Sequence, residues 1–417
     1  MRLLSRSPIC LIVALSLVAL FIAAGSPFAA RTADAAAPAP TQAKVMGPAA
    51  CSAQECHGST LPKGEGRTVH NEYTLWIKND KHYKSYQTLG AAKSWTIAKK
   101  MGLEGDPRKA DRCLTCHTLH KAKEEQGEKY DVADGVTCDA CHGPAEKYLE
   151  GHSKSRPEHK GWTRAQSLAA GMTDTLDLAV RANICVKCHL QIDHEMLEAG
   201  HPYMTFELDA FSVQMPPHWV REKPFTATKA WAAGQAVALR DSLKQLGVRL
   251  EKGAPEKYVV DALLLSLAYY STVRPVADLV VPGAMKPIDD EINWLRGAAG
   301  ADKEKVKRAS TPEFQDKLWD LAKKLGAHDY TADTNKKLLL AYAGSTNEVE
   351  NIGFKAAEQI FFAIDSLYRP YAVTAKPGNI QQIGEVMDKL EQNVRQVKSW
   401  KFEDFNALLG EFQKALK

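Results

Sequence analysis

After Cys188 the chain has no further cysteine, and after His218 it has a single histidine, His328. A stretch this poor in thiols and imidazoles offers no thioether attachment site and no Cys/His zinc cluster. It also lacks a Gly-rich phosphate loop and a catalytic triad, so neither nucleotide chemistry nor nucleophilic catalysis is expected there. No run of Lys and Arg appears anywhere, and a formal net charge of +4 over 417 residues is small. Nucleic acid is therefore not an expected partner. With 45% hydrophobic and 25% charged residues the composition is that of a soluble globular chain, and its length suits two domains.

The first residues are of a different kind. Arg2 and Arg6 precede the apolar run ICLIVALSLVALFIAAG (9–25), and small residues follow at Ala29, Ala30, Ala33 and Ala35. That order predicts a secretory signal peptide over 1–36, cut somewhere at about 30–36. The run also just reaches the length of an uncleaved N-terminal membrane anchor. Cys10 lies within it and would leave with it. Residues 37–49, rich in Ala and Pro, read as a flexible leader.

Eight cysteines remain, all between 51 and 188. Six of them form three copies of one pattern: CLTCH (113–117), CDACH (138–142) and CVKCH (185–189). C-x-x-C-H is the attachment signal for c-type haem. Two thiols at that spacing reach the two vinyl groups of one porphyrin, and the next residue, His117, His142 or His189, becomes the proximal iron ligand. Zinc would use the cysteine pairs but has no need of a histidine directly after each. A two-residue disulfide loop is redox geometry rather than a staple. The pairs Cys113/Cys116, Cys138/Cys141 and Cys185/Cys188 are thus read as haem sites.

The last pair, Cys51 and Cys56 in CSAQECHG (51–58), is spaced by four residues, with His57 still directly after the second thiol. The longer loop can bulge while both thiols reach one ring. A Cys51–Cys56 disulfide is the competing reading. As a haem site it brings the total to four haem c and leaves no mature cysteine unused.

Each iron has a second axial position, and eight further histidines precede residue 220: His70, His82, His120, His152, His159, His194, His201 and His218. His82 lies in EYTLWIKNDKHYKSYQTL, read as an amphipathic helix with Tyr73, Trp76 and Tyr83 to cover a ring. His152 is ten residues past His142, and His194 and His201 share a face of HEMLEAGH, which ends at Gly200 and Pro202. His120 is too close to His117 to serve the same iron. His70 and His159 read as solvated loop positions.

The stretches CSAQECHGSTLPK, NEYTLWIKNDKHYKSY, GVTCDACHGPAEKYL and DHEMLEAGHPYMTFELDAFS, with CLTCH and CVKCH between them, resemble the cytochrome c554-like multihaem cytochromes over about 50–220. The resemblance implies closely packed, mostly bis-histidine haems. It implies His82, His152, His194 and His201 as distal ligands, with His218 a less certain candidate. The four-residue loop of the first site departs from the family's usual spacing.

From about 223 the apolar period becomes helical in KAWAAGQAVALRDSLKQLGVRL, EKYVVDALLLSLAYYSTV, NKKLLLAYAGS, VENIGFKAAEQIFFAIDSLYRPY and IQQIGEVMDKLEQNVRQVKSW. Pro275, Pro370 and Pro377 are expected to punctuate them, and Trp231, Phe361, Phe362 and Tyr368 to fill the core. The expectation is a mainly α chain: a loop-rich, haem-organised multihaem cytochrome domain over 50–222, then an antiparallel helical bundle over 223–417.

The function read from these features is one-electron transfer in the periplasm, after export through the Sec pathway, between redox-partner proteins acting as donor and acceptor. A membrane-associated quinone or an outer-membrane electron-transfer complex also fits as partner, as do an oligomer and a cell-surface location. The rival readings are an oxidoreductase with one open haem acting on a small nitrogen or sulfur compound, and a subunit of an extracellular cytochrome filament. The absence of a CxxCK site and the surplus of histidines favour the carrier over the enzyme.

Overall fold

The computed structural model describes residues 43–63, 68–153, 161–216, 224–293 and 303–417. The signal-type segment, His159 and His218 lie outside these. The described residues are mainly helical and form no strands, only one isolated bridge between Val45 and Gln126. None of their helices is long and apolar enough to cross a membrane.

The first half is short helices joined by turns. Glu72–Asn79 (α1), Ser85–Thr88 (α2) and Ala92–Lys100 (α3) precede Asp111–His117 (α4) and Cys138–His142 (α5). Leu149–Ser153 (α6), Arg164–Ala169 (α7), Leu178–His189 (α8), His194–Ala199 (α9) and Leu208–Gln214 (α10) follow. Side-chain caps start several of them. Asp177 accepts from the Ala179 and Val180 N–H groups to open α8, and Asp193 accepts from Met196 N–H at 3.0 Å to open α9. The stretch around His82 is not the single helix expected. Asp80 is extended, its Oδ1 takes the His82 N–H at 2.9 Å, and the chain turns there before α2.

The second half is built on long helices: Thr226–Glu251 (α11), Glu256–Val280 (α12), Lys286–Ile292 (α13), Lys303–Ala309 (α14) and Pro312–Ala327 (α15). Ala332–Ala343 (α16), Thr346–Ile352 (α17), Phe354–Ala375 (α18), Ile380–Arg395 (α19) and Phe402–Leu416 (α20) complete it. Helix α11 is buried almost all round, packed by α8, α10, α12, α15 and α18. Its Ala and Gly residues permit that close approach. At Gly234 a Cβ would fall 2.7 Å from Leu208 Cβ of α10. Trp231, Phe361 and Tyr368 are buried in the core, and Phe362 packs against it.

Two prolines do not punctuate as expected. Pro275 lies inside α12 and Pro370 inside α18. The helix interior tolerates Pro370 because the carbonyl its missing N–H would have met, Ser366 O, takes the Thr228 hydroxyl of α11 at 3.4 Å. Pro377 does follow a helix end, just past Lys376.

Apolar burial is uneven along the chain. The main connected core is drawn from α11 to α20 and takes only Ala179, Ala182, Val186, Leu190, Phe206 and Leu208 from the residues before 225. A buried polar chain crosses it. The Thr272 hydroxyl donates to Gln235 Oε1 at 2.6 Å, the Gln235 amide to Gln359 Oε1 at 3.0 Å, and the Gln359 amide to Thr205 Oγ1 at 3.0 Å.

Candidate haem-binding site

Three of the four cysteine motifs form the last turn of a helix: α4, α5 and α8 each end on the motif histidine. In helical geometry positions i, i+3 and i+4 share a face. Cys113, Cys116 and His117 therefore present two thiols and an imidazole to one side, as do the two later motifs. The first motif is a compact turn instead. Cys56 N–H and Gly58 N–H both bond Ala53 O, and His57 N–H reaches Cys51 O at 3.2 Å. Gly58 permits this wrap, since a Cβ there would meet Ser52 O at 1.8 Å. None of the eight cysteines is in a disulfide, Cys51 and Cys56 included.

The motifs meet out of sequence order. The thiols of Cys51 and Cys138 lie close enough to shift each other's titration, as do those of Cys116 and Cys188. Cys141 adds its charge to the rise of Cys185. Burial pushes the Cys141 thiol up to about 11 and that of Cys185 up to about 12. Sites one and three, three and four, and four and two are thus neighbours. The closeness of the second and third attachment sites along the chain is not what brings thiols together.

The histidines form pairs. His57 and His152 stack with ring centres 6.1 Å apart and planes 7° from parallel. His82 and His189 lie 6.4 Å apart at 70°, and His117 and His201 lie 6.4 Å apart at 78°. Two metal–imidazole bonds of about 2.0–2.1 Å, with half a ring added at each end, set ring centres roughly 6 Å apart. All three pairs have that separation. Burial and the partner ring both lower His152, His117 and His189, the last to about 4.

The orientation of four of these rings is fixed at Nδ1. His57 Nδ1 bonds Glu72 Oε2, and His82 Nδ1 bonds Asp80 Oδ1, each at 2.9 Å. His117 Nδ1 meets Ser85 O, and His201 Nδ1 meets Pro202 O, also at 2.9 Å. With Nδ1 held by protein, Nε2 is the nitrogen that can meet a metal. Burial works to raise the Glu72 carboxyl, but the bonds from His57 and the Val69 N–H outweigh it and hold it below the usual range.

The remaining histidines sort differently. His194 is buried in α9 with its ring 6.1 Å from that of Tyr258. His142 closes α5, and its carbonyl takes the Thr173 N–H at 2.8 Å. His120 is exposed and pairs with Asp111 at 3.2 Å. His70 is not a solvated loop residue: its Nδ1 lies 2.6 Å from Cys56 O and its ring stacks on His57 at 6.5 Å. It sits on the Glu72 side of His57, where its own N–H meets Glu72 Oε1 at 3.2 Å. His152 is therefore the better candidate across from His57. Trp76 is buried between Tyr73 and Tyr83, 5.9 and 4.8 Å away.

Sequence reasoning missed Glu72, Asp80 and Ser85, which orient rings, and Asp139. Asp139, inside the third motif, is buried and accepts from the Met46, Gly47 and Ala145 N–H groups at 3.2, 3.1 and 3.0 Å. It ties the start of the described chain to that site. The only signals were an acid two residues before His82 for Asp80 and one inside the third motif for Asp139; Glu72 lies 15 residues from His57.

Among the described residues no three His, Cys, Asp or Glu converge on a site for a bare ion. Paired imidazoles beside paired thiols instead suit a metal that brings four ring nitrogens of its own. These residues fit haem c, and the class they define is the c-type cytochrome. Residues 50–143 match the model of the family described as cytochrome c554 and c-prime, and this stretch is cytochrome c554-like. For that stretch the match points to covalently held haem c and electron transfer. The match contains the first three motifs and ends before the fourth. No curated protein and no solved structure matches the chain.

Proposed function

We propose that the chain is an exported tetrahaem c-type cytochrome that carries electrons singly between redox-partner proteins in the periplasm. The observation that carries this reading is the threefold recurrence of one arrangement: a motif imidazole with a second imidazole about 6 Å from it. His57 with His152, His117 with His201, and His189 with His82 would be the axial pairs of the first, second and fourth sites. His142 would be the proximal ligand of the third, and His194 stays a distal-ligand candidate that none of these pairs assigns to a site. Haem c bound at these sites would supply one-electron iron chemistry, and the paired imidazoles are the residues that would hold its iron.

The chain's own residues do the rest. Glu72, Asp80, Ser85 O and Pro202 O hold imidazole tautomers, so that each ring meets iron without rotating. The mutual influence of these thiols supports a spatial order of one, three, four, two for the attachment sites. The signal-type segment at the N-terminus supports export, and thioether attachment suits that compartment.

Mass spectrometry of the mature haem-loaded protein should show four haems; three would remove the four-residue-loop site. The reduced protein should give a low-spin spectrum that carbon monoxide leaves unchanged. A CO-binding fraction would overturn the carrier reading in favour of an oxidoreductase with an open iron.

A further inference from the structure

His57, His82, His117 and His201 each have a protein partner at Nδ1, whereas His189 Nδ1 is buried with no hydrogen-bond partner. Two other buried polar atoms share that condition nearby, Gln245 Oε1 and Arg249 Nε. All three residues line one cavity of about 20 Å³ between the fourth motif and α11. Gln245 and Arg249 are one helical turn apart and are only 8% and 4% exposed. Neither can swing away. The Gln245 amide donates to Gln191 Oε1, and the Arg249 guanidinium donates to the carbonyls of Tyr258 at 2.7 Å and Ile192 at 3.3 Å.

The cavity volume suits one water, which needs roughly 10–15 Å³ and two to four polar partners. The lining chemistry selects among occupants. With iron on Nε2, His189 Nδ1–H is a donor, Arg249 Nε–H is a second, and Gln245 Oε1 is an acceptor. A carboxylate would satisfy the donors and leave the acceptor orphaned, at a cost of about 1–3 kcal/mol. Water accepts from both donors and gives a proton to the amide oxygen.

Resting on the haem reading above, we infer that a buried water joins His189 Nδ1 to Gln245 and Arg249, making Gln245 a positioning residue for the fourth haem's axial histidine. A hydrogen bond from the far nitrogen of a ligating imidazole makes it a stronger donor to the metal and favours the more oxidised iron. Through this water, α11 of the cysteine-free half sets the potential of one haem.

The test is a spectroelectrochemical titration of the haem-loaded full chain and two variants. Gln245→Met removes the acceptor without changing charge. One component of the titration should move upward by about tenfold in its reduction equilibrium, about 59 mV for one electron. Gln245→Glu keeps an acceptor and adds negative charge, and the same component should move downward. Unmoved components in both variants, or an upward move in both, would overturn the inference. Should the methionine variant fail to fold, an unmoved or raised potential in the near-isosteric glutamate variant is sufficient to do so. A wild-type protein lacking haem at Cys185 and Cys188 defeats the haem reading instead, and mass spectrometry of the peptide that carries these two cysteines detects that separately.

Discussion

A single imidazole decides whether an iron is closed or open. His152 faces His57 from a helix of only five residues and rests edge-on against Tyr148 at 6.2 Å. His152→Ala should retain every covalent haem by mass and convert one to a CO-binding form, read as a new band in the CO difference spectrum. No such band would mean that another residue, His70 foremost, holds that position.

Glu207 is a residue-scale effect of another kind. It caps α10, accepting from the Asp209 N–H at 2.8 Å and from the Ala210 N–H, yet it is fully buried. Burial first, then the Asp209 charge, push its carboxyl up from 4.5 to about 8. A carboxyl raised on folding contributes stability that is complete below its unfolded value and is lost as pH rises through the folded one. The melting temperature should therefore fall between pH 4.5 and pH 8. Glu207→Gln should flatten that fall, and an unchanged slope in thermal melts across this range would refute the assignment.

At the scale of elements, α11 is the piece on which both halves depend. Its apolar period predicted a helix of a bundle, with apolar residues recurring every three or four positions. The packing instead buries it on nearly every side, which explains its Ala and Gly content and the contact of Gly234 with Leu208. Gly234→Ala should cost about 1–3 kcal/mol by overpacking, measured as a lower urea midpoint. The intrinsic gain of Ala over Gly in a helix, about 1 kcal/mol, offsets only part of that. A variant as stable as the parent would show that α10 and α11 can separate freely.

For the whole molecule, the uneven core has a consequence. Short helices and turns before residue 178 contribute little to the connected apolar cluster, while the helices from α11 onward supply most of it. Without haem, the first half has too little buried area to offset its conformational entropy. A chain with all eight motif cysteines changed to serine should be cut by protease within about residues 43–170 and leave a resistant fragment from about α8 onward. Even digestion along the chain would contradict this.

The motifs, the cysteine-free second half and the helical period were readable because they depend on neighbours in sequence: thioether spacing, helical faces and the chain's own apolar rhythm. The tolerance of Pro370 was not, because it is decided by a partner far along the chain, and the break at Asp80 was not because one side chain, taking the His82 N–H, overrides the helical period around it. His82 turns toward His189, and Ser366 O is met by Thr228.

By itself the sequence determined that four thiol pairs each precede a histidine and that the second half is helical. Which imidazoles face each other, and which attachment sites adjoin, belonged to the tertiary structure alone. Pairs such as His82 with His189 lie more than a hundred residues apart, and no local spacing encodes a contact that depends on how α1 to α10 pack.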